Sequence, residues 1–121
     1  MKERRRCHRM DIELPVNFRV TKLQRHLSVG LTINISAVGL CFQTTEQVSA
    51  GNELTLTIQL PTDEKLELNT LVMWVRESGY ISRDYFVGVR IEEPLNDDAK
   101  KFVKFCAERM KYLRGNIPSG N

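Results

Sequence analysis

Along most of the chain, apolar residues alternate with polar ones. Ile12, Leu14, Val16, Phe18 and Val20 recur at every second position, and this period predicts a half-buried strand over residues 12–21. Pro15, which has no N–H to give a ladder, belongs at a sheet edge or at the start of that strand. Residues 22–26 read as a connection. Val29, Leu31, Ile33 and Ile35 form a second alternating run, and Ala37-Val38-Gly39 follows as a tight turn in which Gly39 can take a positive φ cheaply. Leu40 and Phe42 resume an extended segment on one face. A turn at Ser49–Asn52 precedes a fourth run through Leu54, Leu56, Ile58 and Leu60, which stops at Pro61. LELNTLVMWV reads as a long strand whose later half is apolar on both faces, as expected of a central strand or one covered by a helix. YFVGVRI closes the series, with Gly88 marking a bulge or a close backbone approach. Turn signals arrive every 8–15 residues, which argues for an antiparallel sheet closed, or nearly closed, into a barrel.

The period then changes. Leu95, Ala99, Phe102, Val103, Cys106, Met110 and Leu113 stand three or four apart, the stripe of an amphipathic helix. Asn96 suits the N-cap, Asp97 and Asp98 suit the positive end of the helix dipole, and Gly115 suits the position just past the C-terminus. The predicted fold is mainly β: a small antiparallel barrel of six or seven strands over residues 12–93, with one C-terminal α-helix over 94–115. Residues 1–11 precede the barrel, and the tail after Gly115 is expected to fray.

A length of 121 residues suits one domain with one core. The chain is 41% hydrophobic and 27% charged, ordinary for a soluble globular protein. No stretch reaches the roughly 18 apolar residues of a membrane helix, so no membrane insertion is expected. Asp11 and Glu13 come too early for a secretory signal, and three cysteines without a CxxC favour a reducing cytoplasm over a disulfide framework.

Charge changes the picture more. The net +3 conceals an uneven distribution: Lys2, Arg4, Arg5, Arg6 and Arg9 against Glu3 give residues 1–9 a charge of +4. The remaining 13 basic and 14 acidic residues leave the body at −1. A general polyanion binder spreads its cations along a face. Six to ten phosphate contacts need more cations than one short arm supplies, so a basic-arm nucleic-acid binder is a minor alternative.

Two constellations carry candidate chemistry. Arg5 and Arg9 are four apart in RRCHR, and each guanidinium is a planar fork that suits phosphate oxygens and the O6/N7 edge of guanine. NISAVG sets Asn34 and Ser36 two apart on a strand, hence on one face, with Gly39 allowing close approach. Each has a plainer reading: a solvated tail, and a turn whose Asn and Ser serve its own backbone. Trp74, the only tryptophan, either packs at the barrel or offers a stacking platform for a base. Cys7-His8 lacks a second ligand pair and His26 is isolated, so no metal is expected. With two histidines, no GxSxG and no HExxH, the chain is read as a non-enzyme without cofactor.

RxxxR (Arg5, Arg9) ahead of a small barrel, followed by NxSxxG (Asn34, Ser36, Gly39) at a strand-to-strand turn, resembles the PilZ domain family. VMWV, YFVGVRI and the final helix extend the resemblance over nearly the whole chain. It implies a bacterial receptor for the second messenger cyclic di-GMP. Residues 1–11 would be a flexible segment that clamps the ligand, Arg5 and Arg9 meeting phosphates and guanine edges. Asn34 and Ser36 would bond guanine and the sugar-phosphate ring, Gly39 would permit close approach, and Arg4, Arg6 and Trp74 would add contacts. Asn34 departs from the Asp of many members, and a neutral amide is the weaker acceptor for guanine N–H groups. The resemblance also implies a downstream protein partner, in processes such as motility or biofilm formation. The alternative within the same fold is a protein-interaction adaptor that responds to no nucleotide.

Overall fold

The computed structural model describes residues 9–22, 27–79 and 83–115. Among these residues, seven strands precede one helix: β1 (Met10–Asp11), β2 (Pro15–Val20), β3 (Ser28–Ser36), β4 (Gly39–Thr44), β5 (Glu53–Gln59), β6 (Lys65–Glu77), β7 (Tyr85–Ile91) and α1 (Asp97–Gly115). Six strands run in the order β3-β2-β5-β6-β7-β4, and β4 pairs back onto β3, closing an antiparallel barrel. The seventh, β1, adds to β3 beyond the end of β2, Met10 opposite Ile35 and Asp11 opposite Asn34.

The run expected over 12–21 therefore holds one strand, β2 over 15–20, while Met10 and Asp11, placed ahead of the barrel by sequence, already form a strand of the sheet. The break between them is held by a buried side chain. Thr32 Oγ1 accepts from the Leu14 amide at 2.7 Å and donates to the Ile12 carbonyl at 2.7 Å, while the Thr32 amide donates to the Leu14 carbonyl at 2.9 Å. A hydroxyl that both donates and accepts can satisfy two backbone groups where the ladder lapses.

Alternation in β3 also runs differently from expectation. Val29 and Leu31 point outward, 68% and 41% exposed, and Thr32 points in. The pairing Thr32–Phe42 is followed by Asn34–Cys41, so Ile33 is an extra residue, a β-bulge. Past it the phase reverses: Ile35 is fully buried and Asn34 lies on the outer side. The same happens in β6. Leu66, Leu68, Thr70 and Val72 face inward; the pairing then steps from Val72–Val89 to Trp74–Gly88, leaving Met73 as the extra residue. The apolar later half of β6 is thus not covered on both sides. Met73 and Trp74 are 47% and 40% exposed.

The interior is filled by Val16, Phe18, Ile35, Leu40, Phe42, Leu54, Leu56, Ile58, Leu66, Leu68, Val72, Val87 and Val89, with the Phe18 and Phe42 rings tilted at 5.0 Å between centroids. Ala99, Phe102 and Cys106 of α1 join this core. Asn96 caps the helix, its Oδ1 accepting from the Ala99 amide at 2.6 Å. The cap is also bolted to the barrel: Asn96 Nδ2 donates to the Glu67 carbonyl, and Asp98 Oδ2 accepts from the Glu67 amide. The helix starts at Asp97 rather than at residue 94, because Pro94 to Asn96 serve as approach and cap, and Gly115 is its last residue rather than the one beyond. Among the described residues, no helix is long and apolar enough to cross a membrane.

Candidate functional site

Four strands bring one lateral row of residues to the outer wall. Asn34 on β3 pairs with Cys41 on β4, Cys41 with Gly88 on β7, and Gly88 with Trp74 on β6. Both ends of this row are placed by bulges. Counted by strict alternation, Asn34 would follow Thr32 inward and Trp74 would follow Val72 inward. The extra residues Ile33 and Met73 turn each of them outward.

Arg9 reaches the row from just before β1. Its Nη1 donates to Asn34 Oδ1 at 2.6 Å, across 25 positions of sequence. The last arginine of RxxxR and the first residue of NxSxxG are therefore in contact, because β1 pairs Asp11 with Asn34 and so delivers Arg9 beside it. Arg4, Arg5 and Arg6 lie outside the described residues.

The other two motif residues support the turn. Ser36 is buried; its Oγ donates to the Gly39 carbonyl at 3.2 Å and accepts from the Val38 amide at 3.3 Å. This is the plainer of the two roles considered for it, a side chain bonding its own turn. Gly39 needs no positive φ, contrary to expectation. Its constraint is contact: a Cβ there would lie 2.2 Å from the Val89 carbonyl oxygen, which is backbone and cannot swing away. Gly39 is thus what lets β4 start against β7. On the far side of the turn, Ala37 and Val38 line a groove of about 620 Å³ shared with Arg90, Leu95 and Val103 of the helix side. The turn therefore borders both the row and α1.

Trp74 lies flat on Gly88, where a Cβ would fall 2.2 Å from indole Cε2. This is the close approach that Gly88 marks; the bulge stands on the opposite strand. The Arg76 guanidinium lies over the indole ring at 5.3 Å, a cation–π contact. Cys41, between the two ends, is buried, and burial pushes its thiol pKa up, while the guanidiniums of Arg9 and Arg76 draw it back down. Two cations thus act on one floor residue from opposite ends of the row. Sequence reasoning passed over Cys41, Arg76 and Thr32. The alternation Trp74-x-Arg76 carries a signal for the second of these, since a residue two along a strand shares its face. No pattern in the sequence marks Cys41, whose relevance depends on which strands become neighbours.

The model of the PilZ domain matches residues 3–108. The chain belongs to the PilZ domain family. Its fold is that of solved PilZ-type structures at low sequence identity. The inhibitor of motility MotI/DgrA of Bacillus subtilis is 22% identical, with a TM-score of 0.71 over 92% of this chain and 53% of that one. The PilZ domain of Escherichia coli YcgR, solved with c-di-GMP, is 8% identical, with a TM-score of 0.69 over 95% of this chain and all of that one. Apo MrkH of K. pneumonia is 13% identical, with a TM-score of 0.73 over 97% of this chain and 56% of that one. The chain spans about half the length of MotI/DgrA and MrkH. No curated protein matches its sequence. Within the PilZ fold, then, the outer wall of this chain carries an arginine–amide contact at one end and an arginine-capped tryptophan at the other.

Proposed function

We propose that this protein is a receptor for cyclic di-GMP that holds the nucleotide against the outer wall of the barrel and passes the signal to a partner protein. The observation that carries the reading is the 2.6 Å contact between Arg9 and Asn34, which unites the two motifs at one end of the row. The bound c-di-GMP of the YcgR PilZ domain, a protein of the same fold, supports the choice of ligand.

In this reading the ligand enters over Asn34 and Cys41. Arg9 exchanges part of its contact with Asn34 for a phosphate or a guanine edge, and a guanidinium fork suits either. Asn34 then turns its amide to the base. Ser36 keeps the turn in shape and Gly39 keeps β4 close to β7, so that the floor stays flat beneath the ligand. Arg5, with Arg4 and Arg6 beside it, closes over the nucleotide from the N-terminal side. The role is one of binding rather than catalysis. Closure covers the wall near Val38, which is 54% exposed at the tip of the turn, and so alters the surface that a partner meets beside α1.

Isothermal titration with cyclic di-GMP tests this. The expected result is binding in the micromolar range or tighter, with a fitted stoichiometry of one or two ligands, and a loss of at least about tenfold in the Arg5→Ala/Arg9→Ala variant, the effect of removing charge-assisted hydrogen bonds. A folded wild-type chain that takes up no ligand at tens of micromolar in low salt overturns the proposal and leaves the nucleotide-independent adaptor.

A further inference from the structure

The far end of the row is built for a planar group. On the sheet side Trp74 rests directly on Gly88, where an added Cβ would run into the indole. Arg76 lies over the ring at 5.3 Å, directly across from Phe86 in the β6–β7 pairing. Arg76 as a whole is exposed. Among the described residues, Lys101 pairs with Glu64, and Arg76 pairs with no carboxylate. A guanidinium is planar, weakly hydrated and never loses its charge, so it stacks on an aromatic ring with one face and leaves the other free. The separation also matters. From Asn34 to Trp74 there are three strand-to-strand steps, about 14 Å along the wall. One base does not span that, whereas a ligand with two bases joined through phosphates does.

We propose that Arg76, backed by Trp74, is a second base-binding subsite: a guanine of the ligand stacks on the outer face of the Arg76 guanidinium, making a ladder of indole, guanidinium and purine. Trp74 is not itself the platform, because the ring face available to a base already holds the guanidinium. Arg76 contributes twice, by stacking and by placing a positive charge opposite Arg9 near the phosphates. The subsite rests on the cyclic di-GMP reading above and deepens it.

The test is calorimetric titration of cyclic di-GMP into the full chain and into Arg76→Ala, Arg76→Lys and Trp74→Phe, with thermal unfolding of each to establish that it is folded. Arg76 is exposed, so its variants keep the barrel. Arg76→Ala is expected to weaken binding about 5- to 150-fold, the range for losing one stacked base. Arg76→Lys is expected to recover only a minor part of that loss, since it keeps the charge without the plane. Trp74→Phe, which keeps a smaller ring beneath the guanidinium, is expected to fall between wild type and Arg76→Ala. Wild-type binding with Arg76→Ala unchanged or tighter overturns the subsite and leaves the receptor reading standing. Full recovery in Arg76→Lys overturns the stacking, since a point charge then suffices. A folded wild type that binds no ligand overturns both.

Discussion

The barrel has a regular half and a bulged half. β5 pairs with β2 and with β6 without a slip, its inward residues Leu54, Leu56 and Ile58 alternating with outward Thr55, Thr57 and Gln59. β3 and the later part of β6 each carry one extra residue, Ile33 or Met73, and present Asn34, Trp74 and Arg76 outside. On its outer side the regular strand β5 carries Thr55, buried and hydrogen-bonded to the Thr21 hydroxyl, and the half-buried Thr57 and Gln59, none of them a motif residue. Candidate chemistry gathers where alternation is broken, because one inserted residue re-aims every side chain after it without opening the core.

The largest effect that tests this contrast comes from deleting one residue in each half. Removing Thr57 flips Ile58 and Leu60 from core to solvent, at roughly 1.5–3 kcal/mol each with further loss from exposed ladder ends, and no cooperatively folded protein is expected. Removing Met73 restores a regular ladder in which Val72 and Trp74 keep their partners. That chain is expected to fold, with a melting temperature no more than about 10 °C below wild type. A Met73 deletion that unfolds as completely as the Thr57 deletion would show that the bulge holds up the barrel rather than aiming the site.

Next in size are the two close-approach glycines of the bulged half. Gly39→Ala sets a methyl against the Val89 carbonyl and should cost about 3 kcal/mol or more, the upper end for forced packing, read as a fall in the urea midpoint. Gly88→Ala meets only the Trp74 side chain, which can swing outward. It should cost about 1 kcal/mol in stability and shift the emission of the single tryptophan. Equal costs for the two would deny the distinction between backbone and side-chain contact.

Thr32→Val should cost about 2–3 kcal/mol, since it strips a partner from the buried Leu14 amide and the Ile12 carbonyl together. Hydrogen exchange would read the consequence locally, as faster exchange at Met10 to Leu14 than at β5. Uniform exchange along the sheet would remove Thr32 from the placement of Arg9.

The smallest effect is a pH dependence. Burial raises the Cys41 thiol pKa, so the folded state holds that proton more tightly than the unfolded chain does. The stabilisation is fully present below the unfolded thiol's pKa and is lost as pH rises through it toward the folded value. Between pH 7 and pH 10, the urea midpoint of wild type should fall more than that of Cys41→Ala. A larger fall in the variant would reverse the sign.

Much of this was legible in the residues. Period-two runs gave the strands, the switch to spacings of three and four gave α1, and Asn96 announced its cap. RxxxR and NxSxxG read as two halves of one site, and Arg9 of the first does meet Asn34 of the second. Other features were not legible, for a common reason. A bulge leaves no mark in an apolar run: Val29, Leu31, Ile33 and Ile35 look like one face, yet only Ile35 of the four is fully buried. Gly39 looked like a residue chosen for its backbone angles and is instead chosen for what stands next to it.

The sequence by itself determined which segments are strands, which is the helix, and which residue types could meet a phosphate and a guanine, because propensity, period and side-chain chemistry are local properties. Only the tertiary structure decided which face each residue takes and which strands stand side by side. Register and closure are set by pairing between segments far apart in the chain. The row from Asn34 through Cys41 and Gly88 to Trp74 exists only once β3, β4, β7 and β6 are neighbours and two extra residues have turned its ends toward solvent.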